Sequence, residues 1–429
     1  MKSPVLVVGA GPAGATAART LAAAGLRVRM LDRSAFPRNK PCGGGISIRV
    51  LRRFPYLEGE LPRIATHTLK RLYLEGPGGE SAVIESEHPA ALMIRRVEFD
   101  DLLVSLAVRA GAELVTGADV VQASANDGRV TLTARDGRRF EAPLVIAADG
   151  VHSITARRLG LNPGWPAASI ALDMMEETPR TELRDVDPST LWIAYGYRAA
   201  ADRARSAGSA AASKPAPEGY AYIFPKRDHV NIGIGYILSY YRTAIEASPY
   251  ELQRTFVDQL RSRGIVAGES VRRNFTPFLI PVAGPLRQPG RGRVLLAGDA
   301  GGFVNAFTAE GIYYAMVSGD LAARAVIDTG GEVDTVARRY RRSCDREIGA
   351  ELRDSVLVQR YLFSDSRRIA RLVREAPRHP AITNLILDYA IGRRSYRSVR
   401  TRLIRGSPRL ALKLMCQHVK SFARSGRPR

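Results

Sequence analysis

The residues with the clearest chemical use are glycines and acids at three junctions. The first junction is Gly9-Ala-Gly11-Pro12-Ala13-Gly14. In a GxGxxG turn the first glycine permits the tight bend and the second lets backbone approach a pyrophosphate. The third lets helix and strand pack closely, with the diphosphate at the helix N-terminus. Asp32, followed by Arg33, lies 18 residues past Gly14, the spacing from which a carboxylate accepts a hydrogen bond from an adenosine ribose. The second junction is Asp149-Gly150 and the third is Gly298-Asp299-Ala-Gly301-Gly302. Asp299 suits the ribityl hydroxyls of a flavin. A helix beginning after it would aim its positive end at flavin N1 and the C2 carbonyl, favouring the anionic reduced ring.

Elements must position these groups. Val5-Leu-Val-Val8 is a β-branched and aliphatic run that predicts a buried parallel strand, 13–24 an alanine-rich helix, and 27–31 a second strand ending in Asp32. The runs 145–148 and 293–297 repeat the design, and a helix is expected over 309–326. Singly, each junction reads equally as an ordinary strand-turn-helix connection. In order along one chain, with the first complete to its terminal acid, they indicate a dinucleotide site.

Two further motifs join them. Phe36-Pro-Arg-Asn-Lys40-Pro-Cys42-Gly43-Gly44-Gly45 puts a thiol in a glycine-rich loop where backbone can come close to a ring system. Tyr220-Ala-Tyr222-Ile-Phe224-Pro225 is followed, after seven residues, by Gly233-Ile-Gly235. Along a strand Tyr220, Tyr222 and Phe224 share one face, which suits either the lining of an apolar tunnel or the packed core of a sheet. The first motif is similar to PxxKxCGGG and the second to YxWxFPx7GxG. With the three junctions they resemble the geranylgeranyl reductase family, FAD enzymes with a p-hydroxybenzoate hydroxylase-like fold. The likeness runs over about residues 4–330, through Phe303-Val-Asn305 and Glu310-Gly311-Ile312. Tyr222 replaces the motif's Trp, and Ala306 and Ala309 stand where Pro and Gly are expected in the flavin-side loop.

The resemblance implies an α/β fold: a Rossmann-like FAD-binding domain, an inserted mixed or antiparallel β-sheet substrate domain and a helical C-terminal region. It implies reduction of carbon–carbon double bonds in a geranylgeranyl or other polyprenyl chain, with hydride leaving reduced flavin N5. An isolated trisubstituted alkene is a poor hydride acceptor, so a proton must be delivered too; aromatic faces stabilise the developing positive charge and exclude water. Tyr220, Tyr222, Phe224 and Cys42 are therefore the candidate catalytic residues. Cys42 could shape the site, donate a proton, sense redox state or be an inert buried thiol. Lys40, Gly43 and Gly44 are expected beside the cofactor with Cys42, and Gly311 and Ile312 at the flavin end. Arg96, opening the Arg96-Val-Glu-Phe99-Asp100 helix, lies either against FAD or in a solvated first turn. The electron donor is expected to be NADPH or ferredoxin, since no second nucleotide domain follows. A flavin monooxygenase or halogenase on the same fold is the rival, although no WxWxIP signature is present.

The FAD-binding domain is expected to be discontinuous within 1–165 and 285–330, centred on about 1–50, 90–165 and 285–330. Residues 166–284 would form the substrate sheet, with a mobile Ala/Ser/Arg/Lys-rich loop at about 198–217, and 331–429 a helical basic region. With 429 residues, 45% hydrophobic and 25% charged, the chain is neither disordered nor polytopic, but its formal charge is +22. Residues 366–429 hold 17 Lys or Arg against 2 acids. Arginines 393, 394, 397, 400, 402 and 405 interleave with Leu403, Ile404, Leu410, Leu412, Leu414 and Met415, as in a helix lying on an anionic membrane. A solvated basic tail is the alternative, and no nucleic-acid-binding motif accompanies the charge. Three scattered cysteines make no disulfide framework, and no metal-ligand spacing is present. A cytoplasmic protein, peripheral on the inner face of the cell membrane, is expected.

Overall fold

The computed structural model describes residues 4–126, 128–184, 186–197, 218–390 and 393–406; the expected loop at 198–217 and the end of the basic tail, 407–429, lie outside them. The chain divides into two units. The first comprises Met1–Lys40, Arg96–Ile170 and Ile280–Val356, the second Pro41–Arg95, Ala171–Leu279 and Leu357–Arg429. Residues 41–95 supply the strands Arg71–Glu75 and Ser81–Glu85, which extend the second unit's sheet beyond Thr190–Tyr195. The helix Val333–Cys344 packs on Ile312–Asp328 and on the Gly290–Arg291 edge, which ties it to the first unit.

In the first unit five parallel strands lie in the order Glu113–Val115, Val28–Leu31, Val5–Val8, Val145–Ala147, Val294–Leu296, and Gly290–Arg291 adds an antiparallel edge. The central strands are buried throughout, which is why they are continuous apolar runs and not alternating ones. On one side lies Pro12–Ala23, which packs against Arg96–Arg109 and Ile312–Asp328. That second crossing is backbone on backbone: a Cβ on Gly319 would fall 2.1 Å from the Ala13 carbonyl oxygen. The antiparallel strands Val120–Asn126, Arg129–Ala134 and Arg139–Ala142 share a core with the sheet through Leu132 and Phe140.

The second unit is built on a seven-stranded sheet. Its order is Phe275–Pro281, Ile170–Pro179, His229–Ile237, Gly219–Pro225, Thr190–Tyr195, Arg71–Glu75, Ser81–Glu85. Helix Pro249–Ser262, opened by a Ser248/Glu251 capping box, buries Leu252, Phe256 and Leu260, with Phe256 6.0 Å from Trp192. Trp192 pairs with Ile223 and Ile223 with Ile232, so this helix covers one side of the sheet. By strand alternation Tyr220, Tyr222 and Phe224 look to the other. A smaller sheet joins Gly45–Ser47, Ala91–Ile94 and Thr66–Leu69.

Candidate functional site

The GxGxxG turn of the first unit is tight and backbone-lined. Gly9 has φ +87°, and a Cβ on it would lie 2.4 Å from the Ala148 carbonyl oxygen, so the turn admits only glycine. Gly11, the N-cap of Pro12–Ala23, faces open space apart from the Arg38 guanidinium, 3.6 Å from where its Cβ would be. Asp32 closes the turn from behind: one oxygen accepts Ala10 N–H at 2.8 Å and the other Ser34 N–H at 2.9 Å. Arg33 points to solvent and Lys40 is half-buried.

Arg38, two residues before Lys40, brings a positive charge to this turn. Its Nη1 lies 3.1 Å from Asp100 Oδ2 but out of hydrogen-bond alignment, so it is a buried donor without a hydrogen bond among the described residues. Asp100, fully buried, accepts two further bonds from Arg96, at 2.6 and 2.7 Å. Two guanidinium groups on one carboxylate leave a local positive charge beside a helix N-terminus, and a diphosphate fits that donor set. Arg96 is thus buried in an ion pair and not in a solvated turn. The pair was readable from its i, i+4 spacing. Asp149 accepts from Ser153 Oγ at 2.5 Å and Thr155 N–H at 3.1 Å, which orders the turn after Gly150. Burial pushes its carboxyl upward against those bonds.

At the third junction Gly298 donates its N–H to Ser318 Oγ at 2.9 Å and has φ +61°. Asp299 is half-buried, and its Oδ1 lies 3.7 Å from where a Gly311 Cβ would sit, so carboxylate and helix N-terminus meet. The helix begins at Ile312, later than the expected 309, because 305–311 is a closed loop. Asn305 Oδ1 caps the N–H groups of Phe307 and Thr308, and Asn305 N–H bonds Glu310 O. Ala309, standing where glycine was expected, nevertheless has φ +55°.

The two family motifs meet in the second unit. A Cβ on Gly43 would strike the Phe224 ring at 2.8 Å, one on Gly44 the Ile94 carbonyl oxygen at 2.2 Å, and Asn231 Nδ2 donates to Cys42 O at 3.2 Å. The glycines of the first motif are therefore the floor for the aromatics of the second. Centroid distances of 5.8, 6.2 and 4.5 Å link Tyr195, Tyr220, Tyr222 and Phe224 in a row. Gly233, paired with Tyr222 across the strands, leaves room for its phenol: a Cβ there would lie 2.5 Å from the hydroxyl. That hydroxyl donates to Asp173, 3.2 and 3.1 Å from the two oxygens. Asp173 escaped the motif search because its partner is distant in sequence. Nearby, Glu177 holds Lys226 and Arg95; burial opposes its ionisation, but the two cations outweigh that and lower it. Cys42 is half-buried, whereas Cys344 is buried and its thiol is pushed up, away from reactivity.

Burial lifts the Asp173 carboxyl from 3.8 to about 7, with the Tyr222 bond pulling slightly the other way. A folded pKa above the unfolded one gives stability that is complete below about pH 4 and is lost as pH rises through about 7. Asp173→Asn, which keeps a hydrogen-bond acceptor and cannot ionise, should therefore equal wild type in acid. It should exceed wild type by as much as about 4 kcal/mol at high pH, as read by denaturant melts across the range.

A parallel sheet with a glycine-rich strand-to-helix turn, an acid at the end of the next strand and Asp299 beside a second helix N-terminus has the architecture of a dinucleotide-binding flavoprotein. Residues 2–230 match the family described as FAD binding domain. A digeranylgeranylglycerophospholipid reductase of Methanopyrus kandleri is 31% identical over 385 residues, 87% of this chain and 92% of that protein. A menaquinone reductase of Mycobacterium tuberculosis is 31% identical over 381 residues, 86% of this chain and 83% of the other. The crystal structure of a geranylgeranyl bacteriochlorophyll reductase-like protein from Thermoplasma acidophilum has the same fold, with a TM-score of 0.72 at 22% identity, covering 94% of this chain and 98% of that one. The chain belongs to the geranylgeranyl reductase family of FAD-binding flavoproteins.

Proposed function

We propose that the protein is an FAD-dependent reductase that saturates double bonds of a geranylgeranyl or other polyprenyl chain. The observation that carries this reading is the row Tyr220, Tyr222, Phe224 laid on Gly43, an apolar aromatic face whose acid, Asp173, is lifted by burial to about 7. Bound FAD supplies the hydride. Gly11, Arg38 and the N-terminus of Pro12–Ala23 hold its diphosphate, Asp32 its ribose, and Asp299 with Gly311 and Ile312 its flavin end. The aromatic faces exclude water and favour positive charge at the tertiary carbon. Cys42, with its carbonyl fixed by Asn231, shapes this lining. Electrons come from NADPH or a ferredoxin. The test is mass spectrometry of lipids from cells with and without the gene: loss of the gene should remove species heavier by two hydrogens per reduced bond, and unchanged lipids would contradict the reading.

The prenyl substrate makes a membrane the natural partner for the basic tail. No helix among the described residues is long and apolar enough to cross a bilayer. Helices Ser366–Glu375, Pro380–Ala390 and Tyr396–Gly406 expose Leu372, Ile386 and Ile404 among arginines. That composition suits an interfacial surface on anionic lipid, at about 1 kcal/mol per engaged cation. Removing residues 393–429 should weaken sedimentation with phosphatidylglycerol vesicles at least tenfold while FAD stays bound; unchanged vesicle binding would remove this role from the tail.

A further inference from the structure

Asp173 is a buried acid that the cofactor chemistry leaves unused. It sits mid-strand in Ile170–Pro179 opposite Gly235, 6% exposed, and Tyr222 is its hydrogen-bond partner. Gly233 clears the space for the phenol, whose oxygen would lie 2.5 Å from a Cβ there, whereas at Gly235 a Cβ would meet the carboxyl oxygen at 3.9 Å, an ordinary contact. Gly233 therefore makes room for an acid-phenol couple on the aromatic face. The hydroxyl exists because Tyr222 replaces the motif's Trp, so the couple is a property of this chain.

Resting on the reductase reading, we propose that Asp173 and Tyr222 form the proton relay for alkene saturation, Tyr222 donating to the prenyl chain and Asp173 recharging Tyr222. When the Asp173 carboxyl is protonated its O–H can become the donor across this contact, which frees the phenolic O–H that otherwise points at Asp173. Tyr222 then gives its proton to the less substituted alkene carbon as the Asp173 carboxyl gives its own to the phenolic oxygen. The hydride supplied by FAD completes the C–H bond at the more substituted carbon. One π bond is lost, two C–H bonds form, the alkene is reduced and the flavin oxidised, and the Asp173 carboxylate takes a proton back from water. A carboxyl lifted to about 7 can give and regain a proton near neutrality, and burial above all holds the Tyr222 phenol protonated. The groups that face Asp173 are few. Tyr220 and Tyr222 act from Gly219–Pro225, with Cys42 beside both phenols. Gly235 stands opposite on His229–Ile237, and Phe275–Pro281 brings no titratable residue. Along its own strand the next acid, Glu177, is neutralised by Lys226 and Arg95.

The test uses holoenzyme with dithionite-reduced FAD and geranylgeranyl diphosphate under anaerobic single-turnover conditions, beside an infrared pH titration of the resting holoenzyme. Asp173→Asn and Tyr222→Phe should slow alkene reduction by about 100-fold or more while FAD binding and reoxidation by oxygen keep their wild-type values. Asp173→Glu should recover part of the rate. The wild-type rate should fall tenfold per pH unit above the Asp173 midpoint near 7, and the Asp173→Asn rate should be flat. The infrared titration should show a protonated-carboxyl band that is lost through that midpoint, is absent in Asp173→Asn and is shifted in Tyr222→Phe. Wild-type turnover with an unchanged Asp173→Asn rate, or no such band, overturns the relay alone. A wild type that binds FAD yet leaves the prenyl chain intact overturns the reductase reading, and the relay with it.

Discussion

Gly14→Ala should cost the nucleotide-binding unit its fold, whereas Gly11→Val should leave a folded protein that has lost FAD. A Cβ on Gly14 would lie 1.8 Å from the Gly9 carbonyl oxygen and 3.0 Å from its carbon, with Val7 Cγ1 at 3.1 Å. Those atoms belong to the central strand and its turn, so neither side can yield. Overpacking of this kind costs at least about 3 kcal/mol, a large part of the stability of a typical domain. Loss of soluble protein, or a melting temperature lowered by many degrees, is the expected result. At Gly11 the nearest atom is Arg38 Nη2 at 3.6 Å, an ordinary contact. Stability should change by less than about 1 kcal/mol, while the valine methyls occupy the place of the diphosphate. Losing two charge-assisted hydrogen bonds at about 1.5–3 kcal/mol each weakens FAD binding by about 100-fold or more, read by flavin fluorescence. A Gly11→Val protein that retains FAD at wild-type affinity would contradict the assignment of this turn.

The second large effect is expected at Asp100. It is fully buried and takes Arg96 in a two-bond pair, with Arg38 3.1 Å away. Asp100→Ala leaves a buried Arg96 guanidinium without its counter-charge. Breaking a buried pair from one side destabilises by about 3–5 kcal/mol, measurable in urea at neutral pH. Replacing both partners, as Arg96→Met with Asp100→Leu, should recover part of the loss, because Arg96 no longer leaves a buried charge and only Arg38 is deprived of its counter-ion. FAD should raise the melting temperature of Asp100→Ala more than that of wild type, since the diphosphate supplies the anion that Arg38 then lacks. An Asp100→Ala protein of wild-type stability would show that the pair is not the keystone described here.

The nucleotide-binding unit was legible because its determinants are local. Apolar runs mark buried strands, and Gly9, Gly11 and Gly14 mark a turn that sterics reserve for glycine. What escaped was set by distant pairing. Nothing local in 71–85 reveals that it extends the sheet of Thr190–Tyr195. Asp173 becomes visible as a partner of Tyr222 only once the strand Ile170–Pro179 is registered against His229–Ile237, and that against Gly219–Pro225. A motif gives residue types and not where a guanidinium reaches, so the approach of Arg38 to Asp100 is visible only in the folded chain. Ala309 shows the converse. It stands where glycine was expected, yet it adopts the left-handed conformation, in a loop held by Asn305 and by the Ala306 N–H bond to Ser355 Oγ at 2.9 Å. The conformation costs about 1–2 kcal/mol for a residue with a Cβ.

The central claim is that this flavoprotein passes hydrogen to a prenyl double bond and needs no oxygen to do so. Purified holoenzyme, dithionite and geranylgeranyl diphosphate under anaerobic conditions test it directly, with product read by mass spectrometry. The account predicts products heavier by two hydrogens for each bond reduced, formed equally well without oxygen. A prenyl chain that remains unsaturated, or a product that appears only in air and carries oxygen or halogen, would contradict it and favour the monooxygenase or halogenase reading of the same fold.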